Sequence, residues 1–490
     1  MDMRRAYMKS RPARKTFRQR LEHMVQELRK EIAAGSFKPG QFLPSEEELA
    51  KLFQLSNKSV RQGLHVLVEE GLIEKLPRIG NKVTEAAGTV KTAVTLACRT
   101  VLIEQARLDL ILERFRAKYP HIEVKLITLD YNNYTQATKQ LMESKALDII
   151  MLNHMDFMQM AECDGLELLE RFPPDPNAYP FLNDLFMQEQ QLCAKPFAYS
   201  PVILCYNKRH FQQMGMADPD SSWTWDTVQS QAELLSNRDR YGFYFNILSD
   251  NRWLVYLLQS GLTFARDERG RYTYSEQRLK ECLRVCRSLI ANKKSFPSYM
   301  AESERDVQEL FLQEKVSIVM TTYFALNNLS GAAFPYDIAP LPYTHAPATL
   351  LQGIGWAVNR LSPEKEAAKL LVDFLTSHEG QTLIERHTLS LPALKMAETE
   401  TNDTAETESE SLSGSLRKPT RYQLYKEIIP SFTPISDLNL PLAKLTQLKQ
   451  CLKYYWFQME DEEQAVRRIE EMLNAPLSTD SYRTVQALPG

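Results

Sequence analysis

A change of hydrophobic period near residue 90 limits what this chain can fold into more than any other feature. Before it, apolar residues recur every three or four positions; beyond "EAAGTVKT" short apolar runs alternate with amphipathic helical stretches. One core rarely serves both patterns, and 490 residues exceed what one core usually organises, so two or three domains are expected.

In the first part, Phe17, Leu21, Met24, Val25, Leu28 and Ile32 fall at helical spacing, and Gly35 suits a C-terminal cap. The stretch "LPSEEELAKLFQLSNKSVRQGL" then holds two helices. Ser45 caps the first, Glu48 completes a capping box, and Leu49, Leu52 and Phe53 are expected to face inward. Ser56 caps the second, with Val60, Leu64, Leu67 and Val68 as core stripe and Lys58, Arg61, Gln62 and His65 on another face. Two helices joined by three or four residues, the second rich in exposed donors, describe a helix-turn-helix. "GLIEKLPRIGNKVTE", broken by Pro77 and Gly80, suits a two-stranded wing.

Charge follows the same division. Residues 1–90 carry 17 Lys and Arg against 11 Asp and Glu, or +6, while the remainder carries 42 against 51, or −9. That asymmetry points to a basic nucleic-acid module on a more acidic body. The arm from Met1 to Arg20 has eight basic residues against Asp2 alone. Seven cysteines without CxxC spacing suit reduced thiols, and Cys282 with Cys286 is expected to be buried packing rather than a metal pair. With neither a signal peptide nor an apolar run of about 20 residues, a cytoplasmic protein without membrane contact is expected.

Beyond residue 93, "AVTLAC", "IEVKLITL", "LDIIMLN", "VILCYN", "VSIVM" and "IGWAVN" read as strands between helical patterns, which predicts α/β domains with largely parallel sheets. "AETETNDTAETESESLSGSLRK" (397–418) is acidic and poor in apolar residues, and reads as a disordered insertion.

Two resemblances sharpen these readings. "IAAGSFKPGQFLPSEEELAKLFQLSNKSVRQGLHVLVEEGLI" resembles the GntR family of winged-helix regulators, over residues 17–84. The resemblance implies that the start of the reading helix and the wing contact DNA, through Ser56, Asn57, Lys58, Ser59, Arg61, Gly80 and Lys82. Ser45, Gln62 and Arg78 complete the expected DNA-facing set. Glu47 and Asn57 stand where that family usually has arginines, so Glu47 is expected to repel phosphate, while Glu46 and Glu48 are expected to stabilise the helix start. "LERFRAKYPHIEVKLI", "ALDIIMLN", "VILCYNKRHFQQMGMADPDSSWTWDTV", "YDIAPLP" and "PEKEAAKLLVDFLTSHEGQTLIERHTLSLPA" resemble, as an ordered set, the family 1 extracellular solute-binding proteins of sugar importers.

The combined expectation is a winged helix-turn-helix (α+β) joined to a two-lobed α/β periplasmic-binding-protein-like (type II) domain. The expected boundaries are a basic arm (1–16), a winged helix (17–86), a linker (87–92) and an effector domain (93–478). The second resemblance implies a ligand cleft, and loops following strands place Arg99, Asn153, Asp156, Tyr199, Asn246, Trp253, Tyr323 and Trp356 there. Aromatic faces beside Asn, Asp and Arg suit a sugar. Trp356 lies in an apolar strand that leaves its direction open, whereas Trp225 is expected to pack. The chain thus reads as a homodimeric, sugar-responsive regulator binding double-stranded operator DNA, its effector a mono- or oligosaccharide, with no cofactor, catalytic group or metal. Two alternatives are a pyridoxal-phosphate aminotransferase-like body, for which no suitable lysine, Asp and phosphate loop are apparent, and a scaffold or importer-docking body without ligand.

Overall fold

A computed structural model describes residues 17–33, 36–77, 79–84, 92–129, 133–298, 301–395 and 417–476. The expected basic arm, Arg78, the linker up to Lys91, and the acidic insertion up to Leu416 lie outside the described residues. The chain divides into two units, residues 1–94 with 112–125, and residues 95–111 with 126–490.

The first unit contains α1 (Phe17–Ala33), α2 (Glu46–Phe53), α3 (Asn57–Glu69), β1 (Ile73–Leu76) and β2 (Gly80–Val83). The capping box at α2 forms: Ser45 Oγ accepts from Glu48 N at 3.2 Å, and the Glu48 carboxylate accepts from Ser45 N at 2.9 Å. At α3, Ser56 Oγ accepts from Ser59 N at 3.2 Å. Met24, Leu28, Leu49, Val60, Leu64 and Leu67 form the core of this unit. A Cβ at Gly63 would lie 2.3 Å from the Met24 terminal methyl and 3.0 Å from methyls of Leu21 and Val25, so glycine lets α3 lie against α1. Leu52 and Val68 depart from expectation, since both are exposed. Each sits on the flank of an apolar stripe that these two short helices cannot bury across its full width. The wing is antiparallel, with Ile73 opposite Val83 and Leu76 opposite Gly80. Gly80 has φ +144°, which other residues rarely adopt, and its Cβ position would meet the Phe42 ring at 3.3 Å.

A helix over Leu108–Lys118 and a strand over Ile122–Thr128 straddle the division between the units. The second unit is built on β3 (Thr92–Cys98, which starts at the division), α4 (Tyr134–Glu143), β4 (Ile149–Asn153), α5 (His154–Glu162), α6 (Pro180–Asp184), β5 (Lys195–Asn207), β6 (Tyr241–Tyr244) and α7 (Asp250–Gln259). There follow β7 (Ala265–Arg266), β8 (Tyr272–Thr273), α8 (Glu276–Ala291), β9 (Val316–Thr322), α9 (Tyr323–Leu326), β10 (Tyr336–Ala339), β11 (Thr349–Val358), β12 (Phe432–Thr433), α10 (Leu442–Trp456) and α11 (Glu462–Asn474).

Its sheet is mixed rather than largely parallel. β3 and β4 are parallel, as are β6 and β9, in keeping with helical crossovers. The long strands β5 and β11 instead run antiparallel to each other and to their other long neighbours, while the short β12 pairs parallel with the start of β11. The first half of β5 pairs with β11 (Leu351 opposite Pro201, Ile354 opposite Ala198), and its second half with β9 (Thr322 opposite Val202, Ile318 opposite Tyr206). β11 also pairs with β4, from Ile354 opposite Asn153 to Val358 opposite Ile149. Two lobes therefore share strands that cross between them, and β5 is buried from Pro196 to Asn207. Trp225 packs as expected, donating from Nε1 to Gln259 Oε1 at 2.7 Å. All seven cysteines are free thiols. Among the described residues no helix is long and apolar enough to cross a membrane.

Candidate nucleic-acid interface and ligand pocket

The first two turns of α3 present Asn57, Lys58, Arg61 and Gln62, all exposed, with the caps Ser45 and Ser56 exposed nearby in sequence. Ser59 differs: it is buried, and its hydroxyl lies 2.6 Å from that of Ser56, so it belongs to the cap. In the wing, Lys82 Nζ lies 3.4 Å from Glu74 across the hairpin.

The three glutamates that open α2 have three different partners. Glu48 closes the capping box. Glu47 is exposed and, among the described residues, pairs only locally, with Lys51 at 2.8 Å. Glu46 accepts from Arg61 Nε at 2.6 Å and lies 3.5 Å from Lys75 Nζ, linking the reading helix to the wing. The Arg61 hydrogen bond holds the Glu46 carboxyl below its usual range, against some desolvation. Reasoning from sequence misses Glu46 and Lys75 because a carboxylate at a helix start already has a sufficient explanation in the helix dipole.

In the second unit, Arg99, Asn153 and Asp156 come together where β3 and β4 end. Arg99 donates to both Asp156 oxygens, at 2.5 and 2.6 Å, and its guanidinium lies 4.0 Å from the centroid of the Tyr134 ring. Asp156 and Asn153 form a capping box at α5. Arg99 and Asp156 are both buried, so this is a closed ion pair. Tyr199 and Tyr323 form a second group. Tyr323 N donates to Ser200 Oγ at 2.7 Å, its hydroxyl donates to Tyr422 O at 3.0 Å, and the Tyr425 ring contacts both tyrosines.

The other three expected ligand residues are dispersed in packed surroundings. Asn246 is buried and accepts from Leu248 N at 3.0 Å. Trp253 is buried, donating to Asp250 Oδ1 at 2.8 Å with its ring edge-on to Trp456. Trp356 lies within β11, fully buried against Phe197.

An open cavity of about 290 Å³ lies beside the Tyr199 group, lined by Phe181, Asp184, Leu185, Leu351, Phe432 and Asp437 among others. The Phe181 and Phe432 rings meet edge to face at 5.3 Å, and both contact the Tyr199 ring behind them. Apolar ring faces edged by two carboxylates and Ser436 match the chemistry of a sugar, whose apolar face carries hydroxyls at its rim. Separation along the chain hides these residues from sequence reasoning: α6 supplies Phe181 and Asp184, β11 supplies Leu351, and the segment from Phe432 to Asp437 lies some 250 residues beyond α6; the shared signal is only a phenylalanine with an aspartate three or five positions on. Next to Asn153, His154 Nδ1 lies 2.9 Å from Leu185 O, and burial pushes its imidazole down to about 4.

Residues 101–382, more than half of the chain, match the family described as bacterial extracellular solute-binding protein, and residues 21–83 match the gntR family of bacterial regulatory proteins. A Brucella abortus binding protein is 25% identical over 208 residues, 41% of this chain and 50% of that protein. The chain thus spans about half the length of the first curated relatives it matches. The Escherichia coli mannosyl-D-glycerate transport/metabolism system repressor is 41% identical over 58 residues, 12% of this chain and 24% of that one. Among solved structures, the GacH receptor of Streptomyces glaucescens, determined unliganded and with acarbose, covers 81% of this chain and 98% of its own at TM-score 0.65 and 15% identity. Maltose-bound MalE3 of T. maritima covers 78% and 99% at TM-score 0.63 and 21% identity. At such identities the likeness concerns fold, and this fold removes the aminotransferase-like alternative. The chain belongs to the bacterial extracellular solute-binding protein family and carries a gntR-family helix-turn-helix domain at residues 21–83.

Proposed function

We propose that this protein is a cytoplasmic, homodimeric transcription regulator whose solute-binding domain senses a small carbohydrate. The observation that carries the reading is the presence, in one chain, of a donor-rich reading helix and a solute-binding fold with an aromatic and carboxylate pocket. Asn57, Lys58, Arg61 and Gln62 read the major groove, while Arg78, Gly80 and Lys82 follow the neighbouring backbone. The cavity volume sits at the lower edge of the roughly 300–1,000 Å³ range of small-molecule sites, which suits one or two sugar rings. A sugar that binds one arrangement of the lobes better than another shifts their equilibrium by that difference alone, and operator affinity follows through linkage.

A thermal-shift screen of the full chain against mono-, di- and oligosaccharides tests this. A true effector at a hundredfold its Kd stabilises by about 2.7 kcal/mol, and the same sugar should change operator affinity in a footprint upstream of the gene. Phe432→Ala should abolish the response. If no sugar raises the melting temperature, the sensor reading fails in favour of a scaffold or importer-docking body.

A further inference from the structure

A second cavity, of about 280 Å³, lies where the β7–β8 hairpin meets the end of α11. Its lining includes Arg266, Arg269, Arg271, Lys444, Tyr272 and Asn474, and among the described residues no carboxylate. Among the described residues only Arg271 of these four cations has an acidic partner, Asp267 at 3.1 Å. Arg266 donates to neutral acceptors, Gly270 O at 3.1 Å and the Tyr272 hydroxyl at 2.8 Å, with its guanidinium 4.3 Å from the Tyr272 ring centroid.

Lys444 is 2% exposed. Its ammonium donates to Met472 O at 2.6 Å and Ala475 O at 2.7 Å, which leaves a third N–H. Burial and the nearby Arg266 charge hold its pKa below the usual lysine value. Carbonyls at a helix end offset part of a buried cation's desolvation, but four like charges gathered around one carboxylate, Asp267, raise the electrostatic cost of the empty site.

We propose that this cavity is an anion site, taking inorganic phosphate or the phosphate group of a small phosphorylated metabolite between Arg266, Arg269 and the third N–H of Lys444. Guanidinium groups suit paired hydrogen bonds to phosphate oxygens, and an ammonium adds a point charge. A phosphate alone fills only part of the space, which leaves room for a small organic residue. None of these residues lines the Phe181–Phe432 pocket, so the proposal stands apart from sugar sensing.

Calorimetric titration of the full chain with inorganic phosphate, glucose 6-phosphate and glucose tests it. The expected result is one phosphate site, weakened about tenfold in Arg266→Gln/Arg269→Gln, with unchanged circular dichroism and no response to glucose at that site. Tighter binding of glucose 6-phosphate than of phosphate identifies a phosphorylated metabolite; equal binding identifies the oxyanion itself. Affinity unchanged in the double variant overturns the proposal. So does an absence of phosphate binding at millimolar concentration. Binding that appears only in Asp480→Asn also overturns it, because the chain's own Asp480 carboxylate is then the occupant.

Discussion

Replacing Glu46 with glutamine keeps the side-chain shape and removes the charge that Arg61 and Lys75 share. Glu46 is 24% exposed at its side chain, Arg61 64% and Lys75 58%. At about 4 Å and an effective dielectric near 20, a unit pair is worth about 4 kcal/mol before desolvation and entropy. Exposure of the cations reduces the net value to about 1 kcal/mol. Two effects on DNA binding then oppose each other. The released cations attract any phosphate, so affinity for unrelated duplex should rise about fivefold and the slope of log K against log salt should steepen by about 0.9. Arg61 also loses the partner that fixes its Nε, and an arginine that reads a base is worth about 1–3 kcal/mol of discrimination. The ratio of operator to nonspecific affinity should therefore fall about tenfold or more. Fluorescence anisotropy on operator and scrambled duplexes, each across a salt series, measures both quantities. If the ratio and the salt slope both stay at wild-type values, Glu46 does not position Arg61 and the pair is an ordinary surface contact.

Arg61→Ala should weaken operator binding by about 1–3 kcal/mol with relaxed specificity, whereas Lys82→Ala should weaken all duplexes alike and flatten the salt slope by about 1; gel shifts in a salt series separate the two. Glu47→Arg should tighten binding to unrelated DNA several-fold, because Glu47 is exposed and among the described residues holds only Lys51; an unmoved nonspecific affinity refutes this. Cys163 and Cys451 are partly exposed and the other five thiols buried, so a colourimetric thiol reagent should titrate at most two slowly before denaturant is added. His154 has its pKa pushed from 6.5 to about 4 by burial, so between those values the unfolded state binds more protons. Its contribution, on the order of 3 kcal/mol, is complete above pH 6.5 and lost as pH falls toward 4, and His154→Leu should flatten that part of a stability profile measured by urea unfolding.

What is local in this chain is readable from its sequence, and what is assembled from distant segments is not. The capping box of Ser45 and Glu48 and the strands around Leu96, Ile150 and Ile318 depend on a few neighbours each. The direction of β5 is invisible in "KPFAYSPVILCYN", because a strand buried on both faces carries no alternation that separates parallel from antiparallel pairing. The same limit governs the ligand residues. An aromatic in or beside an apolar run looks alike whether it closes a core, as Trp356 does against Phe197, or lines an open cavity, as Phe432 does beside Phe181. Charge carries less ambiguity. Glu46 could reach Arg61 only once the turn had folded α2 onto α3, and Lys75 joins them only once the wing has paired. Negative charge at the start of α2 is therefore compatible with the proposed recognition when a glutamate holds Arg61, and Glu47, which among the described residues pairs with Lys51 alone, is the carboxylate left facing outward.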